Sequence, residues 1–278
     1  MRWALGFVAA ALCAGDPAPA QPLVAPPPAI AAAAAPVAMI VSPWLAQGWE
    51  DGLAEVAEYD LDQVRYGTRH RGEAVLVAIR EAMDPERGVK AAGGAGEPVL
   101  KLHWTRRFTT GAYAYDQSSF QLVRRADGAL CRWLITSQEW CGAAAKSWQP
   151  GGPLRVASYF DGHGDLAQPL ALAAGDVPAD SLWWWARAWT AGGGTAAAMR
   201  IVPGQIEARC VATIAAPASA VCARAAGATA AVVTVQRDRL VDRLHLGPGP
   251  AWPLLRWEQA DGSVMTLRRM RRFAYWAR

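Results

Sequence analysis

Hydrophobic and polar residues alternate along most of the chain after residue 98. In "VLKLHWT", Leu100, Leu102 and Trp104 fall on one side and Lys101, His103 and Thr105 on the other. That period of two belongs to a strand with one wet face. "SSFQLVRRADGALCRWLITS" sets Ala126-Asp127-Gly128 between two apolar runs, a hairpin signal, and "LLRWEQADGSVMTLRR" repeats it at Asp261-Gly262. "LRVASYF" alternates again, and "AAVVTVQRDRLVDRLHL" reads as two strands about a polar turn. "GEAVLVAIREAM" fits either a strand or a helix, and its β-branched Val75, Val77 and Ile79 favour strand.

One segment follows the helical period. "DVPADSLWWWARAWTAGGG" carries Asp180 as a candidate cap, Leu182, Trp185 and Trp189 on one side, and a glycine run at 192–194 as a stop. Three adjacent indoles, Trp183, Trp184 and Trp185, cannot all face inward on a helix, so at least one is expected to be exposed or to contact something. They form core or line a lipophilic cavity. The predicted fold is mainly β: a curved antiparallel sheet or partly open barrel with one covering helix near 180–191.

The N-terminal region lies outside this pattern. "MRWALGFVAAALCAGDPAPA" has an early Arg2, a short apolar run and small residues, so residues 1–20 read as a secretory signal peptide. Cys13 is preceded by Leu12 where a lipoprotein signal wants Gly or Ala, so a periplasmic or secreted location is expected over an outer-membrane lipoprotein. Residues 21–43 are rich in Ala and Pro and read as a tether, leaving 44–278 as a single β-rich domain. No later stretch is apolar for eighteen residues, so no transmembrane segment is expected after the signal.

Charge adds a partner class. The net charge is +4, and 256–278 holds six Arg (256, 268, 269, 271, 272 and 278) against Glu258 and Asp261. In an exported chain this argues for peripheral contact with anionic lipid and against nucleic acid. Four cysteines follow the signal, Cys131, Cys141, Cys210 and Cys222, and an even count in an exported protein suggests disulfides. Three pairings exist; the local ones, 131–141 and 210–222, are favoured because each flanks a candidate turn.

Further along, "WEDGLAEVAEYDLDQVRYGTRHRGEAVL", "VLKL", "FTTGAYAYDQSSF" and "TSQEWCG" occur in this order. In this the chain resembles a group of uncharacterised exported bacterial proteins and lipoproteins. Some members carry the label "septum formation inhibitor Maf", but the Ser-x-Ser-x-Arg-Arg loop of true Maf pyrophosphatases is missing here. In plan the chain is also similar to exported β-rich domains of unknown function and to LolA-like lipoprotein-carrier clamps, which implies a curved sheet around an apolar cavity.

Candidate chemistry is sparse. Glu139 and Cys141 share a strand face, and His103 could approach only through folding. The plainer reading buries Trp140 and pairs Glu139 with an Arg. Asp161, His163 and Asp165 in "DGHGD" are ligand types for a divalent ion, but their glycines suit a turn. "RYGTRHRGE" could grip an anionic head group through Arg71 and Tyr66. The ligand-binding candidates are therefore Tyr66, Arg71, His103, Trp104, Glu139 and Trp140, with no cofactor and no catalytic set. The expected function is non-enzymatic: binding a lipophilic or amphipathic ligand or an envelope partner. An exported hydrolase using Glu139 with a His or metal, and a structural interaction module, are the alternatives.

Overall fold

The computed structural model describes residues 42–111, 113–160, 164–173, 175–204, 206, 218–226 and 230–277. Residues 1–41, which hold the expected signal peptide and nearly all of the expected tether, lie outside them, as do Asp161, His163 and Cys210. The first described residues, Ser42 and Pro43, already belong to the packed domain. Ser42 caps a one-turn helix, α1 (Pro43–Ala46), and its Oγ donates to the Ala188 carbonyl at 2.6 Å.

Alternation becomes sheet along nearly the whole domain. The strands are β1 (Ala54–Arg65), β2 (Thr68–Asp84), β3 (Val89–Lys90), β4 (Glu97–Thr109), β5 (Ala114–Arg124), β6 (Leu130–Glu139), β7 (Gly142–Trp148), β8 (Leu154–Ser158) and β9 (Leu166–Gln168). The second series is β10 (Asp176–Pro178), β11 (Ala196–Val202), β12 (Ala218–Ala226), β13 (Ala231–Arg237), β14 (Leu240–Leu246), β15 (Leu254–Glu258) and β16 (Val264–Phe273). The pairing path runs from β10 in order to β16, crosses to β1, and continues in order to β9, with β3 attached to the side of β2. All pairs are antiparallel except β10 with β11. The ambiguous segment at 72–83 lies within strand β2.

Two strongly curved halves share one interior. On β1, Ala57, Tyr59 and Leu61 are buried while Glu58, Asp60 and Asp62 point away from the core. Trp104 on β4 and Trp257 on β15 lie four strand spacings apart, which would be about 19 Å in a flat sheet. Their ring centroids are 5.2 Å apart, so the sheet curls round and packs on itself. It does not close. Its edges are the three-residue strands β9 and β10.

The predicted turns form as their chemistry requires. Gly128 and Gly262 adopt positive φ, and Asp127 Oδ1 accepts the Ala129 N–H. Between β1 and β2, Tyr66 and Gly67 make a two-residue turn with φ of 52° and 73°, the twist suited to a hairpin.

The long helix is α2 (Leu182–Ala191), preceded by a 3-10 turn at Ala179–Ser181. Ser181, not Asp180, takes the N-cap position, because Asp180 is drawn into that turn and buried. Every residue from Leu182 to Thr190 is buried, including all three adjacent indoles. None of the three is exposed, because α2 is packed on several sides, by α1 on one and by β10, β14 and β15 on others. A helix apolar all round is one surrounded by protein. Its single charge, Arg187, pairs in bidentate fashion with buried Glu55 at 2.5 and 3.0 Å, donates to the Ala251 carbonyl and lies over the Trp44 ring. At the exit, a Cβ on Gly194 would sit 2.3 Å from the Trp189 indole, so only glycine fits.

The predicted 131–141 disulfide does not form: both thiols are free, as is that of Cys222. Cys131 lies at the start of β6, just after Leu130, and Cys141 follows its end, so roughly 30 Å of extended strand separates them. A bulge opposite Leu122 and Val123 also places Cys131 in a small cluster with Met83, Val99 and Leu122, apart from the main core.

Candidate functional site

The apolar character of α2 has a second outcome at the open edge of the sheet. There the β5–β6 turn, the β7–β8 turn and the segment 169–178, which links the two edge strands, surround a cleft of about 760 Å³. Trp148, Trp184 and Trp185 line it together with Leu130, Leu170, Leu172 and Val177, and Pro150, Pro153, Pro169 and Pro178 also contribute.

Two of the indoles and both carboxylates around this cleft already have partners. Trp148 Nε1 donates to the Leu170 carbonyl at 2.9 Å, which pins the linking segment in place. Trp184 Nε1 donates to Gln121 Oε1 at 2.7 Å, and Ser181 Oγ donates to the same oxygen. Among the described residues, the ionisable ones lining the cleft are Asp127 and Asp176. Asp127 binds the Arg124 guanidinium and the Ala129 N–H. Asp176 binds Arg200 through both oxygens at 2.6 Å and accepts the Ala173 N–H. The cleft therefore offers aromatic and aliphatic surface without a charge aimed into it, the profile of a site for an apolar molecule.

The candidates named from the sequence lie elsewhere and do not converge as one set. Tyr66, Glu139 and Trp140 meet at the opposite end of β6, around buried Tyr115. The Tyr115 hydroxyl lies 3.0 Å from that of Tyr66 and 3.4 Å from that of Tyr113, and hydrogen-bonds the Glu139 carboxylate. Burial, and then the Glu139 contact, push the Tyr115 hydroxyl well above the usual phenol range. Phe108 stacks on Tyr115 with centroids 4.7 Å apart, and the Arg65 guanidinium lies over the rings of Tyr66 and Tyr115. Trp140 is not buried as the plainer reading expects. It sits in the β6–β7 turn, 80% exposed.

The other three candidates are dispersed. Arg71 is exposed and registers against Asp62 on the outer face of β2. His103 also faces outward, edge-on to Phe120. Burial, aided by Lys101, holds its imidazole below the ordinary histidine pKa. Trp104 points into the core, with Arg106 over its ring. Period two separates these neighbours: adjacent strand residues cannot serve one site. Asp165 is exposed, and among the described residues no three His, Cys, Asp or Glu side chains gather as metal ligands. No described helix is long and apolar enough to cross a membrane.

Arginines of β16 meet carboxylates on β1 and the residues just before it. Arg268 and Arg269 bind Glu58, and Arg272 binds Asp51. Much of the basic stretch is thereby matched on the protein's own surface.

Sequence reading missed Trp148 and the segment "QPLALAAG". The available signal was an apolar, proline-flanked run between two short strands, too brief for a helix and without alternation.

No family model matches the sequence, and no curated protein matches it. A solved structure with similarity in fold is the β-barrel-like protein of a domain of unknown function, DUF1849, from Brucella abortus. It has a TM-score of 0.48 and 8% sequence identity, over 80% of this chain and 98% of that one.

Proposed function

We propose that this chain is an exported, non-enzymatic cell-envelope protein that holds a lipophilic or amphipathic molecule in the cleft beside α2. The observation that supports this most is the cleft itself: about 760 Å³, floored by three tryptophans whose surroundings leave no unpaired charge. Burying apolar ligand surface there contributes about 25 cal/mol per Å². The N-terminal pattern of residues 1–20 supports export. An extended peptide adding to the open edge is a poorer fit, because Pro178 on β10 lacks the N–H that a new strand would use.

The test is mass spectrometry of solvent extracts from the purified chain, together with titration by an environment-sensitive fluorescent fatty acid. Wild type should take up the probe with enhanced emission. Leu172→Glu, which places a charge in the cleft wall outside the closed core, should abolish uptake while leaving the melting temperature near wild type. Absence of extractable ligand together with absence of probe uptake defeats the reading.

A further inference from the structure

At the end of β6 away from the cleft, exposed aromatic rings stand over a carboxylate. Trp140 is 80% exposed and lies across Tyr113, with ring centroids 6.3 Å apart and planes at 26°. Tyr159, 79% exposed, abuts the next residue pair: a Cβ on Gly142 would come 2.9 Å from its ring. Next to Trp140 are the hydroxyls of Tyr113 and Tyr115 and the carboxylate of Glu139. The Glu139 Oε2 atom is buried and has no hydrogen-bond partner among the described residues. A buried acceptor without a donor is exceptional and calls for an explanation.

We propose that this mouth is a saccharide-binding site. Exposed indole and phenol faces suit the apolar face of a sugar ring, while Glu139 Oε2 and the tyrosine hydroxyls suit its hydroxyl groups. A cationic ligand fits less well, since the Arg65 guanidinium already occupies the faces of Tyr66 and Tyr115, 4.8 and 5.5 Å from their centroids. An anionic bilayer fits less well too, because inserting these rings would bring the Glu139 carboxylate against like charge. The site is independent of the cleft beside α2.

Chitotetraose, cellotetraose and maltotetraose would be titrated against the whole chain by tryptophan fluorescence, with saturation-transfer NMR to map the sugar protons at the protein. At least one should bind, and Trp140→Ala should weaken it about tenfold. Glu139→Gln should weaken the same sugar by a smaller factor, and Leu172→Glu should leave it unchanged. Trp140→Ala should melt like wild type because its ring stands in water, and Glu139→Gln should melt close to it because the amide keeps an oxygen to accept from the Tyr115 hydroxyl. If none of the three sugars binds wild type, or binding survives Trp140→Ala unaltered, the proposal is overturned. Trp140-dependent binding to phosphatidylglycerol vesicles in place of sugars would also overturn it, in favour of a bilayer.

Discussion

Strand β6 connects two ends of one sheet that use tryptophan in opposite ways. At the end beside α2, Trp184 is 4% exposed, its N–H bound to Gln121 and its ring part of the cleft floor. At the other end Trp140 stands out in a two-residue turn. The difference lies in what closes each end. A helix can bring a continuous apolar surface of its own and seal the interior. Short turns cannot, so their large side chains either lie back on the rim or remain in water. The same residue type is therefore structural at one end and available for contact at the other.

The most severe way to test this contrast is to damage the helix. Arg187→Ala strands the Glu55 carboxylate in the interior and should cost about 3–5 kcal/mol in urea denaturation. Trp184→Ala should cost about 3–5 kcal/mol by opening a cavity against Gln121 and the cleft. Trp140→Ala should stay within about 0.5 kcal/mol of wild type. Equal losses for Trp184→Ala and Trp140→Ala would erase the distinction between the two ends.

A group at neither end supplies a pH control. His103 has its folded pKa lowered by burial, with Lys101 adding to the effect. Between that lowered pKa and the unfolded value of about 6.5, the unfolded chain binds more protons. Stability from this residue is thus full above that window and declines as pH falls through it. His103→Gln should flatten the decline in a series of melts at decreasing pH, with the ends of the sheet unaffected.

The smallest effect is expected on the outer face of β1 and β16. Glu58→Gln removes the carboxylate shared by Arg268 and Arg269, both of which remain in water. Its melting temperature should differ slightly from wild type at low salt and converge with it at about 0.5 M salt.

How much of this was legible in the sequence follows from the range of each interaction. Alternation reports which residues face the core within one strand, so the sheet, the Asp-Gly turns and the position of α2 are readable. Asp180's loss of the cap and the burial of all three indoles are not, because both depend on what surrounds α2. The 131–141 disulfide fails for a related reason: proximity in sequence is not proximity in space when the intervening residues are fully extended. The site divides in the same way. The motif at 136–142 points to Glu139 and Trp140, which meet Tyr66 only because two turns coincide at one end. The cleft arises between segments about forty residues apart, and no local pattern announces it.

The crossing from β16 to β1 has a bearing on synthesis. β1 to β9 can pair in the order in which they are made, yet β1 keeps one edge open until β16 arrives about two hundred residues later. An unpaired strand edge invites wrong partners, and charge is a common guard against them. Glu58, Asp60 and Asp62 mark that waiting edge with negative charge, and β16 brings Arg268, Arg269, Arg271 and Arg272. The acidic strand repels copies of itself on a crowded ribosome and accepts the basic strand that completes the sheet.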